Sequence, residues 1–304
     1  MPTLRQRVVS SVVRRYPFYS GCGKVANHPW VSALAGASKE EVWARVPGGQ
    51  VLAPLDDLMG RAAYYAGEHD RKITWICRNL IHHGDTVLDI GANIGMNTVH
   101  MASLVGSGGV VHAFEPNPRL VGLLRRAIDR NSLAQVKLHE FGLGPAESTL
   151  ELRVPGTNTG EGSFVRNRDT EDCLSVKVRV RTLDDVAREQ DIRRVTLLKI
   201  DVEGFEASVF RGALQFLERV RPEAILFEVI ERISGRVSDD PVFRILLDFG
   251  YTFQSIPRSM VTMRLPSFDP VRQPPAVSND FLAIAPRAER LRAALHSGHF
   301  SVWA

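Results

Sequence analysis

An apolar run that ends in an acid and a glycine turn constrains the fold of this 304-residue chain more than any other feature. Residues 86–90 (TVLDI) have the β-branched and apolar character of a buried parallel strand, with Asp89 near its carboxyl end. Gly91 and Gly95 follow, where backbone without a Cβ can approach a ligand closely. Because open α/β sheets bind ligands at the carboxyl ends of their strands, the segment predicts a site for a nucleoside cofactor.

A second apolar strand also ends in an acid. The run 110–114 (VVHAF) is followed by Glu115, and an acid in this position on a neighbouring strand can bind the two hydroxyls of a ribose. Two successive strands that each end in an acidic residue favour a cofactor site over a glycine turn that merely ends a strand.

The spacing of the glycines separates two classes of cofactor. The dinucleotide fingerprint G-x-G-x-x-G requires glycine at the positions of Asn93 and Met96, so a pyrophosphate would lose its close backbone approach. S-adenosylmethionine contains no pyrophosphate, and a looser D-x-G-x-x-x-G turn fits Asp89, Gly91 and Gly95. Asn93 and the backbone amides are then available to the carboxylate and amine of its methionine part.

Acidic residues recur at two later strand ends. Residues 196–206 (TLLKIDVEGFE) include Lys199, Asp201 and Glu203, and the apolar run 224–229 carries Glu228 near its end. Carboxylates at the ends of parallel strands meet at one rim of the sheet, which they share with Asp89.

Six short strings in this order resemble the FkbM family of S-adenosylmethionine-dependent methyltransferases. They are Leu88–Gly95, Phe114–Pro116, Thr182–Asp185, Lys199–Gly204, Arg211–Ala213 and Phe227–Glu228. The resemblance covers roughly residues 65–286, and Phe205 departs from it where the family more often has a small residue, which we expect to affect packing. The resemblance implies transfer of a methyl group to an acceptor oxygen, such as a hydroxyl of a sugar, glycolipid or polyketide-type metabolite.

The motif positions predict which residues hold S-adenosylmethionine. The residues predicted to bind its methionine end are Asp89, Gly91, Asn93 and Gly95. Glu115 is predicted to bind its ribose, and the residues predicted at the edge of its adenine are Glu140, Phe141 and Gly142. Asp201 is predicted to touch either the methionine part or the acceptor. Asp89 has a second interpretation as a cap for the glycine turn, and the two roles are compatible.

Four residues are candidates for the chemistry. Methyl transfer to a hydroxyl is an in-line displacement that releases one proton, so a carboxylate within hydrogen-bond reach can act as base. Asp201, Glu203 and Glu228 are the candidate acids, with Glu203 or Glu228 the first choice for base. In an extended segment Lys199 would share a face with Asp201 and Glu203, where it would lower the pKa values of the acids or bind substrate oxygen.

Two other interpretations of these charged residues stay open. Lys199, Glu203 and Glu228 fit a structural ion-pair network, and three acids near a lysine fit a divalent cation, although no metal site is assigned. Glu206 fits the start of a helix better than it fits catalysis.

Strand and helix signals alternate through the chain, which is typical of a parallel sheet. Strands are predicted near 86–90, 110–115, 135–140, 195–201, 224–229, 250–255 and 280–285, with helices near 70–82, 95–105 and 118–131. Period-two alternation at 149–154 and 175–181 predicts an antiparallel hairpin insertion, and the polar loop 155–163 is a candidate lid over the acceptor. The predicted fold class is α/β, a Rossmann-like methyltransferase sheet of seven strands, mostly parallel with the last strand antiparallel.

The chain divides into three predicted regions. Residues 1–64 form a basic N-terminal extension with a helix and a hairpin near 42–55, residues 65–286 the methyltransferase domain, and residues 287–304 a C-terminal helix or tail. We expect the acceptor pocket to be built from the extension, the loop 155–175 and the segment after Tyr251.

The first 39 residues contain no Asp or Glu, and their basic residues are Arg5, Arg7, Arg14, Arg15, Lys24 and Lys39. Leu4, Val8, Val9, Val12 and Val13 fit one helical face. Three interpretations stay open: a helix that rests residues 1–16 on anionic lipid, a helix that packs on the main domain, and a mitochondrial-type presequence.

Composition bounds the environment and the partners. Cys22, Cys77 and Cys173 form no C-x-x-C pair, which indicates a reducing compartment, and no apolar run reaches the roughly 20 residues of a membrane span, so a cytoplasmic protein is predicted, with peripheral membrane contact open. The net charge of +4 is concentrated before the domain, which argues against nucleic acid. The predicted partner is a small-molecule or lipid-linked saccharide acceptor.

Two further classes of function stay open. A nicotinamide-dependent oxidoreductase is disfavoured by Asn93 and Met96 in the glycine turn. A non-catalytic nucleoside-binding or membrane-associated partner protein is disfavoured because the acidic residues of the rim are all present.

Overall fold

The computed structural model describes residues 1–155, 162–164, 173–229, 237–258, 262–263, 265–272, 279–288, 291 and 300–301. Its helices are α1 Leu4–Val13, α2 Cys22–Ala26, α3 Pro29–Ala35, α4 Leu58–Arg61, α5 Arg71–Leu80, α6 Met96–Val105, α7 Pro118–Arg130, α8 Leu183–Glu189, α9 Glu206–Arg211, α10 Leu214–Arg219 and α11 Pro241–Asp248. Its strands are β1 Glu41–Val46, β2 Gly49–Pro54, β3 Thr86–Ile90, β4 Val110–Phe114, β5 Val136–His139, β6 Gly142–Leu143, β7 Ser148–Pro155, β8 Cys173–Arg181, β9 Leu197–Ile200, β10 Ala224–Glu228, β11 Thr252–Ser255, β12 Thr262–Met263, β13 Ser267–Phe268, β14 Asp280–Ile284 and β15 Phe300–Ser301.

The central sheet has eight strands in the order β13-β11-β14-β10-β9-β3-β4-β5. Strands β5, β4, β3, β9 and β10 run parallel, and β14 lies antiparallel between β10 and β11. The predicted α/β fold class, with seven strands of which the last is antiparallel, is confirmed. The structure adds β13, which pairs with β11 at the edge and, with two residues, is too short for alternation to reveal it in the sequence.

The central strands are buried on both faces because helices pack against the sheet. All four residues of β9 are buried, and α6 packs against β3 and β4. Helix α7 begins where Asn117 Oδ1 accepts a hydrogen bond from the Arg119 amide, with Pro118 in its first turn. These contacts fix the carboxyl ends of the parallel strands at one rim.

The predicted hairpin insertion forms a separate sheet of three strands in the order β6-β8-β7. Strands β7 and β8 pair antiparallel, and Leu152, Val154 and Val178 form a small core of their own. Most of the predicted lid loop, residues 156–161, lies outside the described residues, as does most of the C-terminal region 287–304. Their roles therefore stay predictions.

Helix α1 packs one side on the protein and leaves another apolar side exposed. Val9 and Val13 are buried, whereas Leu4, Val8 and Val12 are exposed. The prediction that these residues share a single apolar face is wrong, because adjacent helix positions point about 100° apart and the two sets fall on different sides.

Polar contacts also fasten α1 to the protein. The Arg14 guanidinium donates hydrogen bonds to the carbonyl oxygens of Arg45 at 3.0 Å, Ala63 at 3.1 Å and Tyr64 at 2.8 Å. Ser10 Oγ donates to the Tyr64 carbonyl at 2.8 Å. The extension is therefore held in one orientation by burial and by hydrogen bonds.

We expect Arg14→Met to lower the free energy of unfolding by about 1.5–3 kcal/mol, because hydrogen bonds from a charged donor are lost. Arg15→Met is the matched control, since Arg15 is exposed and donates to Ser11 Oγ at 3.4 Å, and its effect should stay within about 0.5 kcal/mol. Urea denaturation of both variants measures the difference. Equal losses in the two variants would show that the Arg14 contacts do not hold the extension.

Candidate active site

A cavity of about 730 Å³ lies at the rim where β3, β4, β9 and β10 end. Its walls include the turn at residues 90–94, the ends of these strands, and part of the N-terminal extension, namely Tyr16, residues 20–21, Gly23, Lys24 and Asn27. Cavities of roughly 300–1,000 Å³ are typical of small-molecule sites. The rim is therefore the candidate active site.

Gly91 and Gly95 shape the turn after β3. Their φ angles are 82° and 92°, in the left-handed region that favours glycine. A Cβ on Gly91 would lie 1.9 Å from the Asp201 carbonyl oxygen, and one on Gly95 would lie 2.5 Å from Leu124 Cδ1. Close protein neighbours therefore require glycine at both positions. Gly91 also lines the cavity, so its predicted role beside a ligand stays a prediction, whereas Gly95 does not line the cavity.

Glu115 is held in the cavity by backbone amides. Its Oε2 accepts from the Asn93 amide at 2.8 Å, and its Oε1 accepts from the Asn117 amide at 2.9 Å. Burial raises its pKa to about 7, against the effect of both amides. Asn93, with φ 54°, also lines the cavity, and its Oδ1 accepts from the Ile94 amide at 2.6 Å. A carboxylate fixed in this way keeps lone pairs for the hydroxyls of a ligand.

Lys199 lies buried between two carboxylates. Its Nζ is 3.6 Å from Asp89 Oδ1 and 3.4 Å from Asp201 Oδ2, and the register of β3 and β9 places Asp89 beside Lys199. Thr98 Oγ1 donates to Asp89 Oδ2 at 2.6 Å, and burial raises the pKa of Asp89 although Lys199 lowers it. Asp89, predicted for the methionine end, does not line the cavity and instead joins β3 to α6 and β9.

The chain turns after β9 instead of remaining extended. The strand ends at Ile200, and Glu203 has a φ of 53°. Lys199, Asp201 and Glu203 therefore do not share the extended face that the sequence predicts. All three nevertheless line the cavity.

Glu206 stabilises this turn. It lies in the first turn of α9, and its Oε1 accepts from the amides of Val202 at 3.0 Å and Gly204 at 3.3 Å. The prediction that it serves the start of a helix is confirmed.

Glu228, at the end of β10, lies in the cavity among other acids. The register of β10 and β14 pairs it with Asp280, which also lines the cavity. Burial, followed by the charges of Asp201 and Asp280, raises the pKa of Glu228 to about 8. The prediction that Lys199 lowers the pKa of the rim acids is wrong for Glu228, because Lys199 pairs with Asp89 and Asp201.

Two further charged residues of the cavity, Lys72 and Asp280, were not indicated by any motif. Lys72 Nζ lies 2.7 Å from Asp280 Oδ2 and 3.2 Å from Asp70 Oδ2. The position of Asp280 could be predicted from the sequence, because the first residue of an antiparallel strand lies at the same rim as the last residues of its parallel neighbours. Nothing in the sequence distinguishes Lys72 from a surface residue, because lysines on helices are normally solvated.

Two of the three residues predicted for the adenine edge line the cavity. They are Phe141 and Gly142, whereas Glu140 is exposed and forms an ion pair with Arg125 on α7. Arg181 lies with its Cζ 5.3 Å from the centroid of the Phe141 ring, and the Phe114 ring lies 6.1 Å away. Aromatic rings at this end provide a wall suited to a planar base.

Three further observations concern metal ligands, cysteines and membrane-spanning helices. No cluster of three or more His, Cys, Asp or Glu side chains in the described part of the chain is arranged to hold a metal ion. Cys22 and Cys77 are buried free thiols. Within the residues that the structure describes, none of the helices combines the length and the apolar character needed to span a bilayer.

Comparison with known proteins identifies the family. Residues 89–253 match the profile of the methyltransferase FkbM domain. Methyltransferase 1 of Beauveria bassiana is 31% identical over 143 residues, which cover 41% of this chain and 57% of that protein. The chain thus spans little more than half of the length of that relative.

Two other relatives are covered more fully. The hexuronic acid methyltransferase AglP of Haloferax volcanii is 24% identical over 211 residues, which cover 68% of this chain and 80% of that protein. The 31-O-demethyl-FK506 methyltransferase FkbM of Streptomyces tacrolimicus is 32% identical over 197 residues, which cover 56% of this chain and 73% of that protein.

The matched segment contains just over half of the chain and includes the glycine turn, Glu115, Asp201, Glu203 and Glu228. It therefore favours a methyltransferase over a nicotinamide-dependent oxidoreductase and over a non-catalytic partner protein. By this match and by its fold, the chain belongs to the FkbM family of methyltransferases.

Proposed function

We propose that this chain is an S-adenosylmethionine-dependent O-methyltransferase that acts on a hydroxyl of a sugar, glycolipid or secondary metabolite. One observation carries the proposal. A single cavity contains both the carboxyl of Glu115, fixed by two backbone amides, and the carboxyl of Glu228, with a pKa raised to about 8. The first suits a ribose and the second suits a base.

The lining of the cavity fits S-adenosylmethionine. Glu115 offers acceptors to the ribose hydroxyls, and Phe141 offers an apolar wall to the adenine. Carboxyl groups outnumber basic groups in the lining: Glu68, Asp70, Glu115, Asp201, Glu203, Glu228 and Asp280 against Lys24, Lys72, Lys199 and Arg258. In their ionised forms these carboxyl groups favour the positive charges of a sulfonium and an ammonium.

The residues of the rim have different roles in the proposed reaction. When bound, S-adenosylmethionine supplies a methyl group whose bond to sulfur breaks with the electron pair remaining on sulfur. Glu228 accepts the proton of the acceptor hydroxyl, and its raised pKa makes it a stronger base than an ordinary carboxylate. Asp201 is placed by Lys199 at 3.4 Å and is the group proposed to orient the methionine part or the acceptor hydroxyl.

The acceptor class is supported from two directions. The N-terminal extension contributes Tyr16 and Lys24 to the cavity, whose hydroxyl and ammonium groups suit a polyhydroxylated molecule. The name of one relative gives a hexuronic acid, and that of another gives 31-O-demethyl-FK506. Both support an oxygen-rich acceptor for this chain.

Transfer of labelled methyl groups tests the proposal. The purified chain is incubated with methyl-labelled S-adenosylmethionine and panels of sugars, glycolipids and polyketides, and products are analysed by mass spectrometry and alkaline hydrolysis. We expect a base-stable methyl ether, and Glu228→Gln processed in parallel controls for contaminating enzymes. Label found only on nitrogen, sulfur or a carboxylate would overturn the assignment of a hydroxyl acceptor.

We expect Glu115→Gln to weaken binding of S-adenosylhomocysteine at least about tenfold, because glutamine offers one acceptor oxygen where two backbone amides each need one. Glu140→Gln is the control, since Glu140 is exposed and pairs with Arg125 outside the cavity. Isothermal titration calorimetry compares the two variants with the wild type. Equal affinities for Glu115→Gln and the wild type would remove Glu115 from the cofactor site.

A further inference from the structure

The outer side of helix α1 carries an apolar stripe that the described part of the chain leaves exposed. Leu4, Val8 and Val12 recur every four residues, which keeps them on one side of the helix, and they expose 69%, 56% and 56% of their surface. Val9 and Val13, on another side, provide the buried contact. The stripe is therefore not explained by packing of α1 on the protein.

A neighbouring helix also exposes apolar side chains. Helix α3 packs against α1 and exposes Trp30 and Leu34, which are also four residues apart. Tryptophan is enriched at the interface between bilayer and water, where its ring meets both environments. Two adjacent helices of the extension thus present apolar side chains to solvent.

The charged side chains of residues 1–39 are all of one sign, and the first acid, Glu40, lies 3.6 Å from the Met1 amino group. Arg5, Arg7 and Arg15 are exposed, and no acid occurs before Glu40. Arginines beside an exposed apolar helical surface are typical of helices that lie in the interface of an anionic membrane. A second copy of this chain on the same surface would bring like charges together, which disfavours self-association.

The same extension forms a wall of the cavity. Helix α1 packs against α2, and Lys24 and Gly23 of α2 line the cavity. Arg14 and Ser10 hold α1 on the domain. If the outer side of the extension binds a surface, the extension therefore lies between that surface and the cavity.

We propose that the outer side of the extension docks on an anionic lipid surface. Its apolar contacts are Leu4, Val8, Val12, Trp30 and Leu34, and its arginines are Arg5, Arg7 and Arg15. The apolar side chains enter the boundary between headgroups and acyl chains, and the arginines pair with anionic headgroups. Docking places the cavity near acceptors that reside in the membrane.

Vesicle flotation of the full chain, without methyl donor, tests this proposal. We expect flotation with phosphatidylcholine vesicles that contain about 30% phosphatidylserine, and little with phosphatidylcholine alone. Val8→Glu combined with Val12→Glu should lower the bound fraction at least about tenfold, because carboxylates then face anionic lipid. Leu174→Glu is the matched control, since Leu174 on β8 is 67% exposed but lies outside the extension, and its flotation should equal that of the wild type.

The proposal is overturned if the wild type fails to float with anionic vesicles, if the double variant floats equally well, or if neutral and anionic vesicles bind alike. It is also overturned if light scattering shows a wild-type dimer that the double variant converts to a monomer, because a second copy would then cover the stripe. Circular dichroism and urea denaturation of both variants verify their folding, so this test does not depend on the proposed cofactor.

Discussion

Replacing Glu228 by glutamine lowers kcat by about 10²- to 10⁴-fold once an acceptor is in hand, while binding of S-adenosylhomocysteine is retained. The reason is the loss of the base that accepts the hydroxyl proton. Glutamine keeps the size of the side chain and removes the ionisable group, so the cavity is preserved. Steady-state kinetics together with calorimetry separate the two effects.

The pH dependence of kcat/KM, which reports the pKa values of the free enzyme, gives this expectation a sign. Burial and the charges of Asp201 and Asp280 raise the pKa of Glu228 to about 8, so the carboxyl is mostly protonated at pH 7. Because only the carboxylate accepts a proton, kcat/KM rises with pH through about 8 and levels above about 9. The residual rate of Glu228→Gln should lack this rise.

Glu203→Gln is the matched control for Glu228→Gln. Glu203 also lines the cavity, but it lies in the turn after β9 with a φ of 53°. We expect it to keep most of the activity and the same pH profile. A large loss in Glu203→Gln with little loss in Glu228→Gln would exchange their roles.

Gly91→Ala is expected to have the largest effect on stability, with a loss of about 3–5 kcal/mol. Its φ of 82° already strains an L-residue, and its Cβ would lie 1.9 Å from the Asp201 carbonyl oxygen, which is backbone and cannot rotate away. A domain with a typical stability of about 5–15 kcal/mol would lose a large part of it. Urea denaturation measures the loss.

Gly84→Ala separates the two causes. Gly84 has a φ of 86°, close to that of Gly91, but no atom lies within 4 Å of the position of its Cβ. Its substitution should therefore cost only the backbone strain, about 1–2 kcal/mol. Similar losses at the two positions would show that the turn and the segment after β9 are not in close contact.

The sequence predicted the fold well because its signals are local. Buried strands such as β3 and β9 are short apolar runs, and each predicted acid stands within a few residues of a strand end. Glu115, Asp201, Glu203 and Glu228 all reach the cavity for this reason. The edge strand β13 is not predicted because two residues are too few to show the alternation of polar and apolar residues that marks a strand.

Predictions failed where the answer depended on distant neighbours. The glycine requirement at Gly91 is visible in the sequence, but its cause, the carbonyl of Asp201, becomes a neighbour only in the folded sheet. Glu140 follows a strand as Glu115 does, yet its side chain turns to Arg125 on α7, and a strand end alone does not fix that direction.

The partners of buried charges follow the same rule. The sequence predicts that Lys199 acts on Asp201 and Glu203, or joins an ion-pair network with Glu203 and Glu228. The structure gives it the expected contact with Asp201 at 3.4 Å, and the register of β3 and β9 adds Asp89, which the sequence did not indicate. Likewise, helical periodicity placed the valines of α1 on one face, whereas only Val9 and Val13 meet the domain.

Calorimetric titration of the wild type with S-adenosylhomocysteine, beside NADH, tests the central claim most directly. We predict one site for S-adenosylhomocysteine per chain and no binding of NADH, because the turn from Gly91 to Met96 lacks the glycines that a pyrophosphate needs. Binding of NADH without binding of S-adenosylhomocysteine would contradict the proposed cofactor and the chemistry derived from it.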